Sequence, residues 1–134
     1  MGGVVDERDI PPALRPRVLL AAYASGAFPM PDEFGDLAWF SPDPRGLLPL
    51  DERFHVPRRL QRTIRTGRLH CTVDAAFDAV MARCADREEG TWINRDFRLA
   101  YNRLHELGFA HSVEAWPTES GASPGGAPAG GVYG

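Results

Sequence analysis

Between Ala27 and Leu50 the chain places prolines at positions 29, 31, 42, 44 and 49. Each removes a backbone N–H and fixes φ, so neither a helix nor a long strand ladder can run through this stretch. The segment is predicted to be a shaped loop region with at most short strands. It also carries Phe28, Met30, Phe34, Trp39 and Phe40. A loop that rich in large apolar side chains either packs over a core or lines a pocket, and packing is the commoner outcome.

Regular structure is expected on either side. Residues 1–12 read as a short polar lead ending in Pro11-Pro12. Leu19, Ala22, Tyr23 and Gly26 recur at i, i+3, i+4 and i+7, which predicts a helix from Ala13 to Ser25. Pro16 is tolerated only in its opening turn, and Gly26 serves as its stop. A second helix is predicted over His55–Thr66. There Arg58, Arg62 and Arg65 fall in one narrow sector while Val56, Leu60 and Ile64 lie opposite, giving one dry face and one face of guanidinium groups. Arg59 and Arg68 extend the positive zone. Leu69–Val73 reads as a strand and Asp74 as the N-cap of a helix that faces a core with Phe77, Val80, Met81 and Cys84. Asn94 caps a further helix with inner face Phe97, Ala100, Tyr101 and Leu104, closed by Gly108. Ala110–Trp116 alternates as a strand, Val113 and Ala115 on one side, Ser112 and Glu114 on the other.

A chain of 134 residues suits one domain with a sizeable core. Its formal net charge of -3 provides no global basic field, although all fifteen positive charges are arginine. Cys71 and Cys84 match no zinc spacing and read as small buried thiols in a reducing compartment, so no metal is expected. The N-terminus lacks a secretory pattern, and no run approaches a membrane span. A soluble, cytoplasmic protein is the expectation. In residues 117–131, thirteen of fifteen residues are Gly, Pro, Ala or Ser, the composition of a flexible linker or enlarged hairpin loop. The chain stops soon afterwards, at Val132-Tyr133-Gly134, which suggests a truncated reading frame.

The strongest chemical signal is the Arg58/Arg62/Arg65 face. Most charge runs are merely solvated, but no acidic residue compensates this one at i±4, and the rest of the chain is net acidic. A solvated face and a phosphate-binding face both remain open. Glu88 and Glu89 lie in a turn, where adjacent carboxylates are usually only solvated. His111 and Glu114 are separated by an odd number and point to opposite faces, which argues against a dyad. His105, at a helix end, is placed to cap carbonyls. No Ser-His-Asp order, P-loop or GxGxxG occurs, and the residues alone identify no reaction.

Six segments in fixed order carry more: LLAAYASGAFPM, WFSPDPRGLLPL, FHVPRRLQRTIR, DAAFDAVMARCADREEGTWI, AYNRLHELGFAHSVEAW and GGVYG. Together they resemble the leucyl/phenylalanyl-tRNA–protein transferases. The resemblance implies an α+β fold, with a small N-terminal α/β subdomain over residues 1–50. The first part of a GNAT-like (acyl-CoA N-acyltransferase-like) mixed α/β domain would then span residues 51–134. Its sheet would begin with Leu69–Val73 and continue through Ala110–Trp116 and Val132-Tyr133.

The implied reaction moves Leu, Phe or Met from an aminoacyl-tRNA to acceptor proteins with N-terminal Arg or Lys, in N-degron protein degradation. The ester is already activated, so no cofactor is implied. The resemblance further implies that Arg58, Arg62 and Arg65 grip the tRNA acceptor arm. Tyr23, Met30, Trp92 and Val132 would surround the aminoacyl side chain and terminal adenosine. Met30 stands where some members carry Trp, and Val132 where some carry Met. The family's proton-relay residues fall beyond residue 134, so no catalytic residue is assigned and the isolated chain, expected to be a monomer, is expected to be inactive. A GNAT acetyltransferase and a non-catalytic tRNA/RNA-binding module are the alternatives.

Overall fold

The computed structural model describes residues 3–118 and 130–133. It has an α+β architecture of four helices and two small antiparallel sheets among these residues. Helix α1 (Pro16–Ala24) begins later than periodicity predicts, because Arg15 precedes a proline and is held extended at φ -63, ψ 150. A short 3-10 turn, Pro12–Leu14, fills the gap. Gly26 ends the helix as expected, at φ +84, with its N–H on the Tyr23 carbonyl.

The proline-rich segment forms a hairpin of β1 (Phe28–Pro31) and β2 (Leu37–Phe40). Prolines two apart lose their N–H groups on the same edge, so the ladder to β2 falls to Phe28 and Met30. The predicted packing of its aromatic residues is only partly met. Phe28 and Phe40 stack at 6.1 Å, but Phe34, in the hairpin turn, and Trp39, on β2, are exposed.

Helix α2 (Arg58–Arg65) starts after Pro57 instead of at His55. It has no buried residue, so the predicted dry face is not dry: Leu60 and Ile64 are exposed, since no described element packs against them. Helices α3 (Phe77–Ala85) and α4 (Arg95–Glu106) follow the predicted patterns closely. Phe77, Val80 and Met81 are buried, as are Phe97, Ala100, Tyr101 and Leu104. The Asn94 side chain accepts from the Phe97 N–H at 3.0 Å, capping α4 as its sequence indicates. Ile10, Leu14 and Leu19 join the inner faces of α3 and α4 in one apolar cluster.

Strands β3 (Leu69–Val73), β4 (Ser112–Pro117) and β5 (Gly130–Tyr133) form the second sheet, in that order and antiparallel. Its faces are reversed from the usual apolar-in arrangement. Ser112, Glu114 and Trp116 are buried, whereas Leu69, Val73 and Val113 are exposed. Cys71, expected to be buried, is exposed on that same side because it alternates with Thr72. Cys84 packs against the core edge.

The reversal has a cause at the start of α3. Asp74 does not cap that helix. It adopts φ 58 and turns its carboxylate back to the Ser112 N–H at 3.0 Å. Glu114 supplies the missing acceptor from across the sheet. Its carboxylate receives the Ala76 N–H at 3.2 Å, the Ala75 N–H at 3.4 Å, and the hydroxyls of Thr72 and Ser112. Thr72 in turn accepts from the Trp116 indole at 2.7 Å. Burial pushes the Glu114 carboxyl up, but the two hydroxyls and two amides outweigh it and hold it below its ordinary range. A negative charge facing the first turn of α3 is also favoured by the helix dipole. Glu114→Ala strands these donors in a dry site. It is expected to cost about 2–4 kcal/mol of stability in urea unfolding, with Val113→Ala nearly neutral by comparison.

Candidate functional site

Two residues on the inner face of α4 organise the candidate pocket. Phe97 and Tyr101 are one turn apart, so their rings stand one above the other, 6.4 Å apart and 15° from parallel. Trp92 meets Phe97 edge-on at 5.4 Å and 87°. The Tyr101 hydroxyl hydrogen-bonds the Tyr23 hydroxyl from α1. Two expected pocket residues from distant segments are therefore fixed on one helix. Their supports are buried, yet Tyr23 remains 46% and Trp92 39% exposed. That combination gives anchored aromatic rings with free surface for a ligand.

Met30, half-buried on β1, is in register with Ala38. Its neighbour Pro31 faces Trp92 across an open cleft of about 550 Å³, which Asp32, Glu33 and Glu89 also line. Val132 is paired in the backbone ladder with Val113; its side chain lies outside the described residues. Tyr23 and Trp92 are thus both held against side chains of α4, whereas Met30 enters neither those contacts nor the lining of the cleft.

The Arg58, Arg62 and Arg65 side chains are exposed on α2, and among the described residues none is paired with a carboxylate. Other surface arginines do have such partners: Arg98 with Asp78 at 2.8 Å, and Arg103 with Glu7 at 3.1 Å. Uncompensated guanidinium groups in one sector are available to phosphates. Glu88 and Glu89 are exposed in the turn before Trp92.

Sequence reasoning missed two contacts. The 3.6-residue period identified Tyr101 as core, but periodicity carries no information on which partner a buried phenol finds. The second is a pair formed by Asp74 and His111, with His111 Nδ1 2.7 Å from the carboxylate. His105 does not cap the helix carbonyls. Its Nδ1 bonds the Ala110 carbonyl at 2.8 Å instead, and its ring stacks on Phe77 at 4.2 Å. Gly108, at φ +82, folds the chain back so that His105 meets Ala110. The hydrogen bond to His111 leads in lowering the Asp74 pKa, and the reciprocal bond raises that of His111. His111 and Glu114 take separate partners, as their odd spacing implies. No helix among the described residues is long and apolar enough to cross a membrane.

Comparison with known proteins gives consistent matches. A family-wide profile described as leucyl/phenylalanyl-tRNA protein transferase matches residues 47–134. The profile of that family's N-terminal domain matches residues 13–43. The leucyl/phenylalanyl-tRNA–protein transferase of Herpetosiphon aurantiacus is 52% identical over 103 residues, covering 77% of this chain and 53% of that relative. That of Akkermansia muciniphila is 46% identical over 109 residues, covering 79% and 56%. That of Anaeromyxobacter dehalogenans is 49% identical over 125 residues, covering 90% and 50%. The chain spans about half the length of the curated relatives it matches.

The Tyr23–Tyr101 bond is expected to show a coupling energy of about 0.5–1.5 kcal/mol in a double-mutant cycle with Tyr→Phe at each position. Additive losses would mean that the two hydroxyls do not interact. The Asp74–His111 pair should appear in the pH dependence of stability. Because the folded pKa of His111 is raised from 6.5, its contribution is fully present below that value and lost as pH rises through the raised pKa. Because that of Asp74 is lowered from 3.8, its contribution is present above that value and lost as pH falls through the lowered pKa. The Tm difference between the parent chain and His111→Asn should therefore be largest between these limits and shrink toward alkaline pH. A difference that is flat with pH would exclude the ion pair.

Proposed function

The chain belongs to the leucyl/phenylalanyl-tRNA–protein transferase family, and we propose from that premise that it forms the part that holds the charged tRNA. The observation that carries this reading is the Arg58/Arg62/Arg65 face, unpaired with carboxylates among the described residues, in a chain of net charge -3. Arginines on one helix sector suit the phosphates of an acceptor arm. They fix its position without reading its sequence. Tyr23, Met30, Trp92 and Val132 would enclose the aminoacyl side chain and the terminal adenosine. An apolar enclosure of that kind selects Leu, Phe or Met over polar residues and separates them weakly from one another.

In the full reaction, the α-amine of an acceptor beginning with Arg or Lys attacks the ester carbon. The amide bond forms, the bond to the ribose oxygen breaks, and the proton lost by the amine ends on the released hydroxyl. An α-amine has a pKa of about 7.7–8.0, so placement of the amine, more than strong base chemistry, sets the rate. In this reading residues 1–50 form an N-terminal subdomain and residues 51–134 begin a GNAT-like domain. The protein acts as a monomer in the cytoplasm and marks acceptors for N-degron degradation. The isolated chain, which spans about half the length of the relatives it matches, is proposed to turn over little.

The test compares binding of Leu-tRNA and the same tRNA uncharged at two salt concentrations. Tighter binding of the charged form is expected. Arg58→Ala should weaken both forms and reduce the slope of log K against log salt by about 1. Trp92→Ala should remove the preference for the charged form. Equal binding of the two forms by the parent chain would overturn the pocket assignment, and no effect of Arg58→Ala would overturn that of the arginine face.

A further inference from the structure

Two cavities meet at the start of α4, and their walls carry opposite charge. The cleft beside Trp92 is lined by Asp32, Glu33 and Glu89, with no arginine in its wall. The second, a cavity of about 360 Å³ between α3 and α4, is lined by Arg95, Arg98, Asn102 and Asp78 together with the apolar Ile93 and Leu99. Asn94 belongs to both walls, so a ligand filling one abuts the other. The two arginines are three residues apart, which sets them on one side of the helix. Both are poorly satisfied donors. Arg95 has a carboxylate neighbour only in Asp96, at 3.8 Å, beyond hydrogen-bond distance, and its side chain is 76% exposed. The Arg98 guanidinium donates from Nη2 to Asp78 Oδ1 at 2.8 Å, while its Nε is buried with no hydrogen-bond partner among the described residues. That same Asp78 oxygen also accepts from Asn102 at 2.9 Å. Two guanidinium groups thus face one carboxylate that is already shared, and the lining keeps a positive excess. A buried donor without an acceptor is unfavourable, so an anion that supplies one is favoured.

We propose that Arg95 and Arg98 form a phosphate-binding site, and that its ligand is the phosphate adjoining the terminal adenosine of the tRNA. The choice of that phosphate rests on the reading of Trp92 as part of the adenosine pocket. The charges support it independently. A nucleoside is neutral and can lie against Trp92, but the phosphate on its 5′ side is repelled by the three carboxylates of that cleft. Across Asn94 the wall changes sign, and two guanidinium forks meet the phosphate oxygens there. Such a contact adds affinity without reading a base. It also divides the work between the two arginine groups: Arg58, Arg62 and Arg65 serve the acceptor arm, whereas Arg95 and Arg98 serve the single-stranded end.

Two stable analogues test the site: 3′-leucylamino-adenosine, which has no phosphate, and the trinucleotide CCA ending in the same nucleoside. The trinucleotide is expected to bind this chain about tenfold more tightly. Arg95→Gln and Arg98→Gln should each remove most of that difference by weakening the trinucleotide alone. Arg8→Gln, an exposed arginine paired with Asp6 on the N-terminal turn, should change neither. Asp78→Asn removes the opposing charge but keeps an acceptor for Arg98, so it should strengthen trinucleotide binding about threefold. A purely structural Arg98–Asp78 pair predicts no such gain. A second readout does not depend on the adenosine pocket. The Arg98 Nε–H resonance, identified by its loss in Arg98→Gln, should shift on titration with inorganic phosphate. Equal binding of the two analogues, or equal losses for both in the arginine variants, would overturn the tRNA phosphate as the ligand; a resonance that still shifts would then assign the site to free phosphate. A resonance indifferent to phosphate, together with trinucleotide binding indifferent to Arg98→Gln, would overturn the site itself. Failure of the adenosine pocket shows separately, as nucleoside binding unchanged by Trp92→Ala.

Discussion

A carboxylate with no access to solvent lies between the β3-β4-β5 sheet and the first turn of α3. Glu114 stays ionised there because two backbone amides and two hydroxyls surround it. Much of the remaining geometry depends on that arrangement. The sheet must turn its polar side inward for Glu114 to reach the helix. Thr72 and Ser112 must then face the same way, and Trp116 follows them, its indole bonded to Thr72. With strand period fixed at two, Leu69, Cys71, Val73 and Val113 have no alternative to the outer face. One buried charge thus sets the register and decides which side of the sheet faces α3.

The sequence reveals this fold unevenly, and the differences are physical. Helices α3 and α4 were readable to their inner faces because a four-residue apolar stripe with a cap or a glycine stop is a local signal. Asn94, Gly26 and Gly108 do what short-range chemistry requires of them. Strand β4 was recognised as alternating, but alternation does not say which side is buried. The usual assumption that apolar means inside would have failed here. Asp74 had the right residue type for a cap. It lost that role because a distant carboxylate reached the same amides, and no local pattern reports a contact between residues 74–76 and 114. The same limit applies to Tyr101, whose hydroxyl partner lies on α1.

Much of the candidate pocket was legible only through family resemblance. The structure adds a mechanical reason for its shape. Tyr23 and Trp92 are exposed rings on buried supports, and both supports are side chains of α4. Anchoring both on one helix would lower the entropy lost were a ligand to bind between them, since their rotamers are already restricted. Because α4 also packs against Leu19 and Met81 in the common core, core stability bears directly on how well the two rings are held.

The arginine face and the exposed Leu60 and Ile64 share one helix, α2. A helix of eight residues is marginal in water by itself, because nucleation costs more than a few backbone bonds return. Its three arginines act as one site only while the helix is formed and held in place. Ordering α2 costs free energy that any ligand of its arginines would have to offset. Any change that pre-forms α2 would therefore strengthen binding at its arginine face, because less ordering would be left to the ligand.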